Sequence, residues 1–389
     1  MTSKVKRNTV KDGIAFTGKS WSYVLRVPNL ETGKTSPKWV GGFDSEESAL
    51  LARDEARVAL RKRTYVPPSE RTVGEFLITW LNDVHKQQLK ATTYSSYEKI
   101  IRLHLIPGLG AIRLSDLKPS DIQRFYSETL DKRKLNGEKL QPRTAQYAGA
   151  ILKKAIKYAV EVEGVLMFNP VSRVPLPKTN PEIPTPWTFN ELNTFLEVAS
   201  EHRLFFFFRL SAYTGARRGE LLALRWTDFD GKTITINKNR GLAGSTVVEQ
   251  NTTKGGKGGQ RRVALDPETV ELFNAHRRRQ LEERLLMGAS WTETGYVFVR
   301  EDGLPVDTGT PIHVFHKLTK KAGLRLTRLH DLRHLHATEL LRLGEPLHVV
   351  SDRLGHKDPM VTATIYAHVS NEQGESASLT FANGSRNAR

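Results

Sequence analysis

The sequence predicts a multidomain protein, mainly α-helical with small β elements, and three observations predict it. The chain has 389 residues, more than one ordinary core holds, so two or three domains are expected. Two proline-rich joints divide it, "TYVPPSERT" at 64–72 and "NPVSRVPLPKTNPEIPTP" at 169–186. Proline removes backbone donors and disfavours helix in the residue before it, so the second joint reads as a semi-extended connector. The hydrophobic period also changes between pieces, from alternation near the N-terminus to helical spacing in the middle, then to helix with a β excursion. The expected domains are 1–64, 65–174 and 175–375, followed by a polar, weakly structured tail at 376–389.

In the first piece, "WSYVLRV" sets Trp21, Tyr23, Leu25 and Val27 on alternate positions, the pattern of a half-buried strand. "NLETGK" supplies a turn and "PKWVGGF" a further strand. "DSEESALLARDEARVALRKR" follows as a helix, with Asp44 expected as N-cap and Glu47 completing a capping box. The result is a small sheet with one helix. This piece carries 13 basic against 7 acidic residues, which suits either a solvated surface or a sheet laid in a nucleic-acid groove.

The second piece predicts four helices. Thr72 and Glu75 form a capping box ahead of "FLITWLNDV", whose Phe76, Trp80 and Val84 share a face. "TYSSYEKIIRLHLIPGLG" gives the next helix, expected to stop at Pro107 and Gly108. "KPSDIQRFYSETL" starts another, with Ser120 expected as cap and Gln123 three residues on. "PRTAQYAGAILKKAIKYAVEVE" is the last, and its Lys153, Lys154 and Lys157 suit either a solvated or a phosphate-facing side. In the third piece, "DFDGKTITINKNRG" and "STVVEQNTTKGGKGGQRRVALD" read as strands around a glycine-rich, lysine-bearing tip. A helix-rich run from 310 to 370 holds most of the histidines.

Composition narrows the function. Lys plus Arg number 59 against 42 Asp plus Glu, a formal charge of +17, which suggests a polyanionic partner, nucleic acid or an anionic membrane. The longest apolar run, "LFFFF" at 204–208, ends at Arg209, far short of a bilayer span, so a membrane partner is not expected. The charged N-terminus is followed by no apolar segment, and no secretory signal is visible. The absence of cysteine excludes disulfides, thiolate metal sites and a cysteine nucleophile, and fits a cytoplasmic protein.

Four stretches carry chemistry. "YTGARRGELLALRW" places Arg217 and Arg218 after a glycine turn, and "TTKGGKGGQRR" presents Lys254 and Lys257 on a hairpin. "LHDLRHLHATELL" holds His330 and Arg333 one helical turn apart, and "LGHKDPMVTATIYAH" adds His356 and Tyr366. His330, His334 and His336 also raise a metal site, but the spacing lacks the H-E-x-x-H pattern, and none is expected. Together the four stretches suit attack on a DNA phosphodiester. Two arginines neutralise the charge building on the non-bridging oxygens, because guanidinium stays protonated and presents paired donors. A phenol is a nucleophile that can later leave, a lysine protonates the departing sugar oxygen, and histidine moves the phenol's proton. With the arginines taking the phosphate charge, no metal or other cofactor is called for.

"TGARRGELLALRW", "HDLRHLHATELL" and "LGHKDPMVTATIYAH" resemble the signature boxes of the tyrosine recombinase (phage integrase) family, in the order R…K…H-x-x-R…H…Y from 217 to 366. The resemblance extends outward. Residues 71–170 look like the helical, SAM-like core-binding domain of integrases, and 1–64 like the β-rich arm-binding domain of the longer, lambda-type members. The third piece would be a mixed α/β catalytic domain of the DNA breaking–rejoining type. The resemblance implies that Arg217 and Arg333 clamp the scissile phosphate, that His330 is the general base and that His356 is a hydrogen-bond donor to the transition state. Lys254, preferred to Lys257, would be the general acid. Tyr366 would be the nucleophile, forming a 3′-phosphotyrosine link and releasing a 5′-hydroxyl. Arg218, Asp331, His334 and Tyr213 are expected to be structural or supporting.

The implied partners are double-stranded DNA at core-type and arm-type attachment sites, and three further copies of the chain in a synaptic homotetramer. An excisionase and a host DNA-bending protein are the implied accessory partners. The tail would pack on a neighbouring subunit through "SLTF" at 378–381. The implied setting is the bacterial cytoplasm, at the nucleoid, and the implied task is integration of a phage or mobile element. The rivals are a Xer-like recombinase resolving chromosome or plasmid dimers, a DNA-binding regulator without chemistry, and a type IB topoisomerase.

Overall fold

The structure, a computed structural model, describes residues 8–10, 13–16, 18–28, 35–61, 70–131, 140–166, 168–178, 185–251 and 260–356. The chain divides into two units, Met1–Asn180 and Pro181–Arg389. Lys254, Lys257 and Tyr366 lie outside the described residues, as do 1–7 and the tail from 357.

The first unit begins with an antiparallel sheet of four strands in sequence order: β1 (Asn8–Val10), β2 (Ile14–Phe16), β3 (Trp21–Pro28) and β4 (Thr35–Phe43). On β3 the expected alternation holds at Tyr23 and Leu25, buried against Ile14 of β2 and against Ala49 and Ala56 of helix α1 (Glu46–Arg61). Trp21 is half-buried, Ser22 is buried too, and the Val27 side chain lies outside what is described. Two three-residue strands, β1 and β2, are too short to show a period, and the sequence reading missed them. The cap of α1 corrects the expectation. Ser45 and Ser48 replace Asp44 and Glu47: each backbone N–H reaches the other's hydroxyl, at 3.2 and 3.1 Å, and Ala49 N–H bonds back to the Ser45 carbonyl.

Residues 70–178 build a second, helical core. The Thr72–Glu75 capping box forms as expected and starts α2 (Val73–Thr79). The chain then widens into a π-helical turn over Trp80–His85, with Phe76 and Trp80 buried. Helix α3 (Ala91–Ile100) runs through another π turn (Ile101–Leu105) into the short α4 (Ile106–Leu109), so the helical run passes Pro107 and does not stop there. Ile106 N–H bonds to Ile101, five residues back, and this wider turn precedes the proline that has no N–H to give. Helix α5 (Pro119–Asp131) starts from Lys118, not from Ser120. Lys118 N–H donates to Asp121 Oδ2 at 3.0 Å, and Ile122 N–H returns to the Lys118 carbonyl. Helix α6 (Pro142–Glu161) buries its alanine face and leaves Lys153, Lys154 and Lys157 exposed.

The start of the second joint is not extended connector. Asn169 caps a 3-10 turn at Pro170–Arg173, and Val171 and Val174 are buried in the helical core, so two of its apolar residues belong to the domain before it.

The second unit packs α7 (Phe189–Ala199), α8 (Phe205–Thr214) and α9 (Arg218–Leu222) with two small antiparallel sheets. Strands β5 (Thr233–Ile236) and β8 (Arg261–Ala264) form one sheet, and β6 (Asn239–Ala243) and β7 (Thr246–Gln250) form the other. Helices α10 (Pro267–Met287), α11 (Thr310–Lys321), α12 (Asp331–Arg342) and α13 (Leu347–Leu354) complete it. The "LFFFF" run lies on α8, where Phe206, Phe207 and Phe208 join Phe195, Phe273 and Phe315 in the core. Arg209 next to it is buried, stacked 3.5 Å from the Tyr213 ring centroid and paired with Glu268 at 2.9 Å. Among the described residues no helix is long and apolar enough to cross a membrane.

Candidate active site

The site grows from the end of α8. Gly215 closes that helix in the left-handed conformation, φ +64°, where a side chain would be strained. Space forbids one as well: a Cβ there would meet Leu354 Cδ2 at 2.5 Å and His336 Cδ2 at 3.0 Å. Two residues on, Arg217 caps α9. Its backbone N–H donates to Glu220 Oε2 at 2.9 Å, and its guanidinium Nη1 donates to Glu220 Oε1 at 2.8 Å. Glu220 is buried, and Arg261 Nη2 from β8 reaches its Oε2 at 2.8 Å. Burial opposes ionisation of Glu220, but the Arg261 hydrogen bond and charge, with Arg217 beside it, hold its carboxyl below the ordinary value.

Helix α12 supplies the next two groups. Arg333 is buried, and its two terminal nitrogens donate to the carbonyls of Gly215 at 2.7 Å and Leu354 at 2.6 Å. One guanidinium thereby joins the end of α8 to the end of α13. Burial, with Arg217 and Arg261 nearby, pushes its pKa down to about 9, which still leaves it charged at neutral pH. One turn earlier, His330 stands edge-on to His334, their ring centroids 5.3 Å apart. His330 reaches solvent, yet desolvation of its ring, with His334, Arg333 and Arg217 adding to it, lowers its pKa to about 4. His356 follows Gly355, the left-handed cap of α13 (φ +66°), and its N–H bonds to Ser351 at 3.1 Å. Burial, then Arg333, Arg217 and Arg261, bring its pKa to about 4 as well. Both rings are therefore neutral at pH 7, able to accept a proton or to donate one hydrogen bond.

Four of the six expected residues, Arg217, His330, Arg333 and His356, thus come together within reach of one another's charge. The expected hairpin is corrected: β7 before the lysine-bearing stretch pairs with β6, and β8 after it pairs with β5. The two flanking strands therefore belong to separate sheets, and Lys254 and Lys257 lie outside the described residues. His336 belongs elsewhere. It accepts a hydrogen bond from Arg353 Nε at 3.1 Å, and burial and that arginine hold its pKa at about 3. Asp331 serves the start of α12, accepting from Thr327 Oγ1 at 2.6 Å and Arg328 N–H at 2.8 Å. Glu220 and Arg261 were missed in the sequence. Glu220 carried a legible signal, the third position after Arg217 and just before an apolar run. Arg261 carried none, since it reads as one more exposed cation in "QRR".

Chemically, the described residues gather donors suited to an anion. Arg217 and Arg261 share the Glu220 carboxylate, Arg333 lies within reach of its charge, and the neutral His330 and His356 lie within reach of Arg217 and Arg333. Arg217 keeps 20% of its side chain exposed and can meet a ligand from solvent.

Known proteins match this chain over most of its length. Residues 186–373 match the model of the phage integrase family, and 72–130 match the phage integrase N-terminal SAM-like domain. A "Tyrosine recombinase XerC-like" protein of Caldanaerobacter subterraneus subsp. tengcongensis is 29% identical over 97% of this chain and 98% of its own. The ICEBs1 integrase of Bacillus subtilis is 30% identical over 66% of this chain and 71% of its own. Among solved structures, the Tn1549 transposon integrase in complex with transposon right-end DNA superposes with a TM-score of 0.66. It is 19% identical and covers 80% of this chain and 99% of its own. A lambda integrase tetramer bound to a Holliday junction gives 0.58 at 18% identity, over 92% of this chain and 96% of its own.

Proposed function

The chain belongs to the phage integrase family of tyrosine recombinases, and from that premise we propose a site-specific integrase that cleaves and rejoins DNA through Tyr366. The observation that carries the reading is the convergence of Arg217, Arg333, His330 and His356 on one solvent-open anion site. The tyrosine oxygen bonds to phosphorus as the bond to the 5′ oxygen breaks. The phenol's proton passes to His330, and Lys254 delivers a proton to the leaving oxygen. Arg217 and Arg333 neutralise the pentacoordinate phosphate. Arg333 commits two of its five N–H groups to protein carbonyls, which fixes its plane, and turns the remainder to phosphate. His356 donates a hydrogen bond to a non-bridging oxygen. The phosphotyrosine conserves the energy of the broken bond, so the reverse attack by a 5′-hydroxyl needs no ATP.

Four protomers would act on two duplexes, with residues 1–64 reading arm-type sites and with 65–174 and the catalytic domain 175–375 both binding the core site. This is the arrangement of an element integrating into a bacterial chromosome, with an excisionase and a host DNA-bending protein as accessory partners. Integration is preferred to dimer resolution because residues 8–61 form a sheet-and-helix body with its own core, supplying a module for a second set of DNA sites. The test is joint-molecule formation between two plasmids, one carrying the element's end-joined sequence and one the chromosomal target. Recombinants are expected without ATP or magnesium. Relaxation of supercoils with no joint molecules would instead indicate a topoisomerase.

A further inference from the structure

Arg261 is tied to three parts of the site at once. It stands at the start of β8, the strand that leads out of the lysine-bearing stretch, and only 5% of its side chain is exposed. Nη2 donates to Glu220 Oε2 at 2.8 Å, the oxygen that also accepts the Arg217 N–H, while Oε1 takes the Arg217 guanidinium. Nε donates to the Arg353 carbonyl at 2.7 Å, three residues before His356. The fit against that turn is close: a Cβ on Gly355 would lie 2.9 Å from Arg261 Nη1. Its charge is felt at both Arg333 and His356.

We propose that Arg261 is a positioning residue for strand cleavage, orienting Arg217 toward the scissile phosphate through the carboxylate they share. The inference rests on the recombinase reading above. A carboxylate as buried as Glu220 needs its oxygens satisfied. With Arg261 in place, one oxygen is held from β8, and Arg217 needs only one terminal nitrogen for the other. Without Arg261, Glu220 draws the Arg217 guanidinium further onto itself, and the donors meant for phosphate are turned inward. Arg261 pairs directly with the Glu220 carboxylate, whereas Arg333 donates to two neutral carbonyls, so Arg261 takes the positioning role and Arg333 the phosphate.

The experiment compares single-turnover cleavage of two nicked duplexes by the full chain. One carries an ordinary scissile phosphodiester. The other carries a methylphosphonate, which lacks a non-bridging charge and so asks less of Arg217. Arg261→Gln is expected to lower phosphodiester cleavage by about 100-fold and methylphosphonate cleavage by only a few-fold, with core-site binding within a few-fold of wild type. Arg261→Lys, which keeps the charge but cannot make both contacts, should show the same asymmetry at about tenfold. Each variant is compared with itself on two substrates, so a reduced folded fraction lowers both rates together and leaves the ratio intact. Equal losses on both substrates, or none on either, would overturn the proposal. So would full recovery on a 5′-thiol-bridging substrate, because Arg261 would then be acting through the lysine. If wild-type protein forms no covalent adduct on either duplex, the recombinase reading fails and not this refinement of it.

Discussion

Arg217 and Glu220 hold one another twice, through a backbone N–H at 2.9 Å and a guanidinium at 2.8 Å, and the same carboxylate also anchors Arg261. Glu220 is thus the one negative charge balancing two arginines in a buried place. Replacing it by alanine leaves both cations facing each other, and breaking such a buried pair costs about 3–5 kcal/mol. Glu220→Ala should lower stability by that order in urea unfolding. Glu220→Gln, which keeps shape and one acceptor, should lose less stability yet still cleave DNA about tenfold or more slowly. A Glu220→Ala protein as stable as wild type would mean that the pairs do not carry this weight.

Gly215 is required twice, by its positive φ and by the side chains packed over it. Gly215→Ala adds a methyl group where Leu354 and His336 already stand, and shifts the carbonyl that receives Arg333. We expect a loss of about 2–4 kcal/mol, more than the left-handed backbone penalty alone. Gly323, also at positive φ but with nothing near its Cβ, is the control: Gly323→Ala should cost only about 1 kcal/mol. Equal losses at the two positions would show that the packing over Gly215 is slack.

Acid should weaken the fold before most carboxylates titrate. His330 and His356 have pKa values lowered to about 4 and His336 to about 3, against 6.5 when unfolded. Between about pH 6.5 and 4 the unfolded chain binds protons that the folded chain refuses, so stability falls as the pH drops through that window. Above about pH 6.5 all three are neutral in both states and contribute no slope. The melting temperature should therefore be lower at pH 5.5 than at pH 7.5, and His336→Phe should flatten part of the difference. A melting temperature that is flat or rises on acidification would contradict the placement of these rings.

The sequence was most legible where one periodicity ran long enough to repeat. The β3 alternation, the Thr72–Glu75 box and the length of α6 were all readable. Two caps were misplaced because several Ser, Asp and Glu residues lay within three positions of each helix start, and local chemistry alone does not choose among them. Pro107 misled because proline ends a helix by default, and a π turn that admits it leaves no mark in the pattern. At the site, the residues whose types have few other uses were readable, namely Arg217, His330, Arg333 and His356. Arg261 was not, because its burial comes from contact with α9 and α13, which are distant in sequence.

The general-acid lysine can be identified by leaving-group chemistry. Lys254→Ala should cut cleavage of an ordinary strand by about 100-fold or more, while a 5′-thiol-bridging strand, whose sulfur departs without protonation, should regain most of the rate. Lys257→Ala should be mild on both substrates. Rescue of Lys257→Ala and not of Lys254→Ala would reverse the assignment.

The most direct test of the central claim is covalent trapping on a nicked suicide duplex carrying the core site. Tyr366→Phe removes one oxygen while keeping the ring, so folding and core-site binding should persist. Wild-type protein should become attached to a 3′ end without magnesium or ATP, Arg217→Lys should form the adduct far more slowly, and Tyr366→Phe should form none. A 3′ adduct from Tyr366→Phe, or wild-type attachment that depends on a divalent metal, would contradict the mechanism.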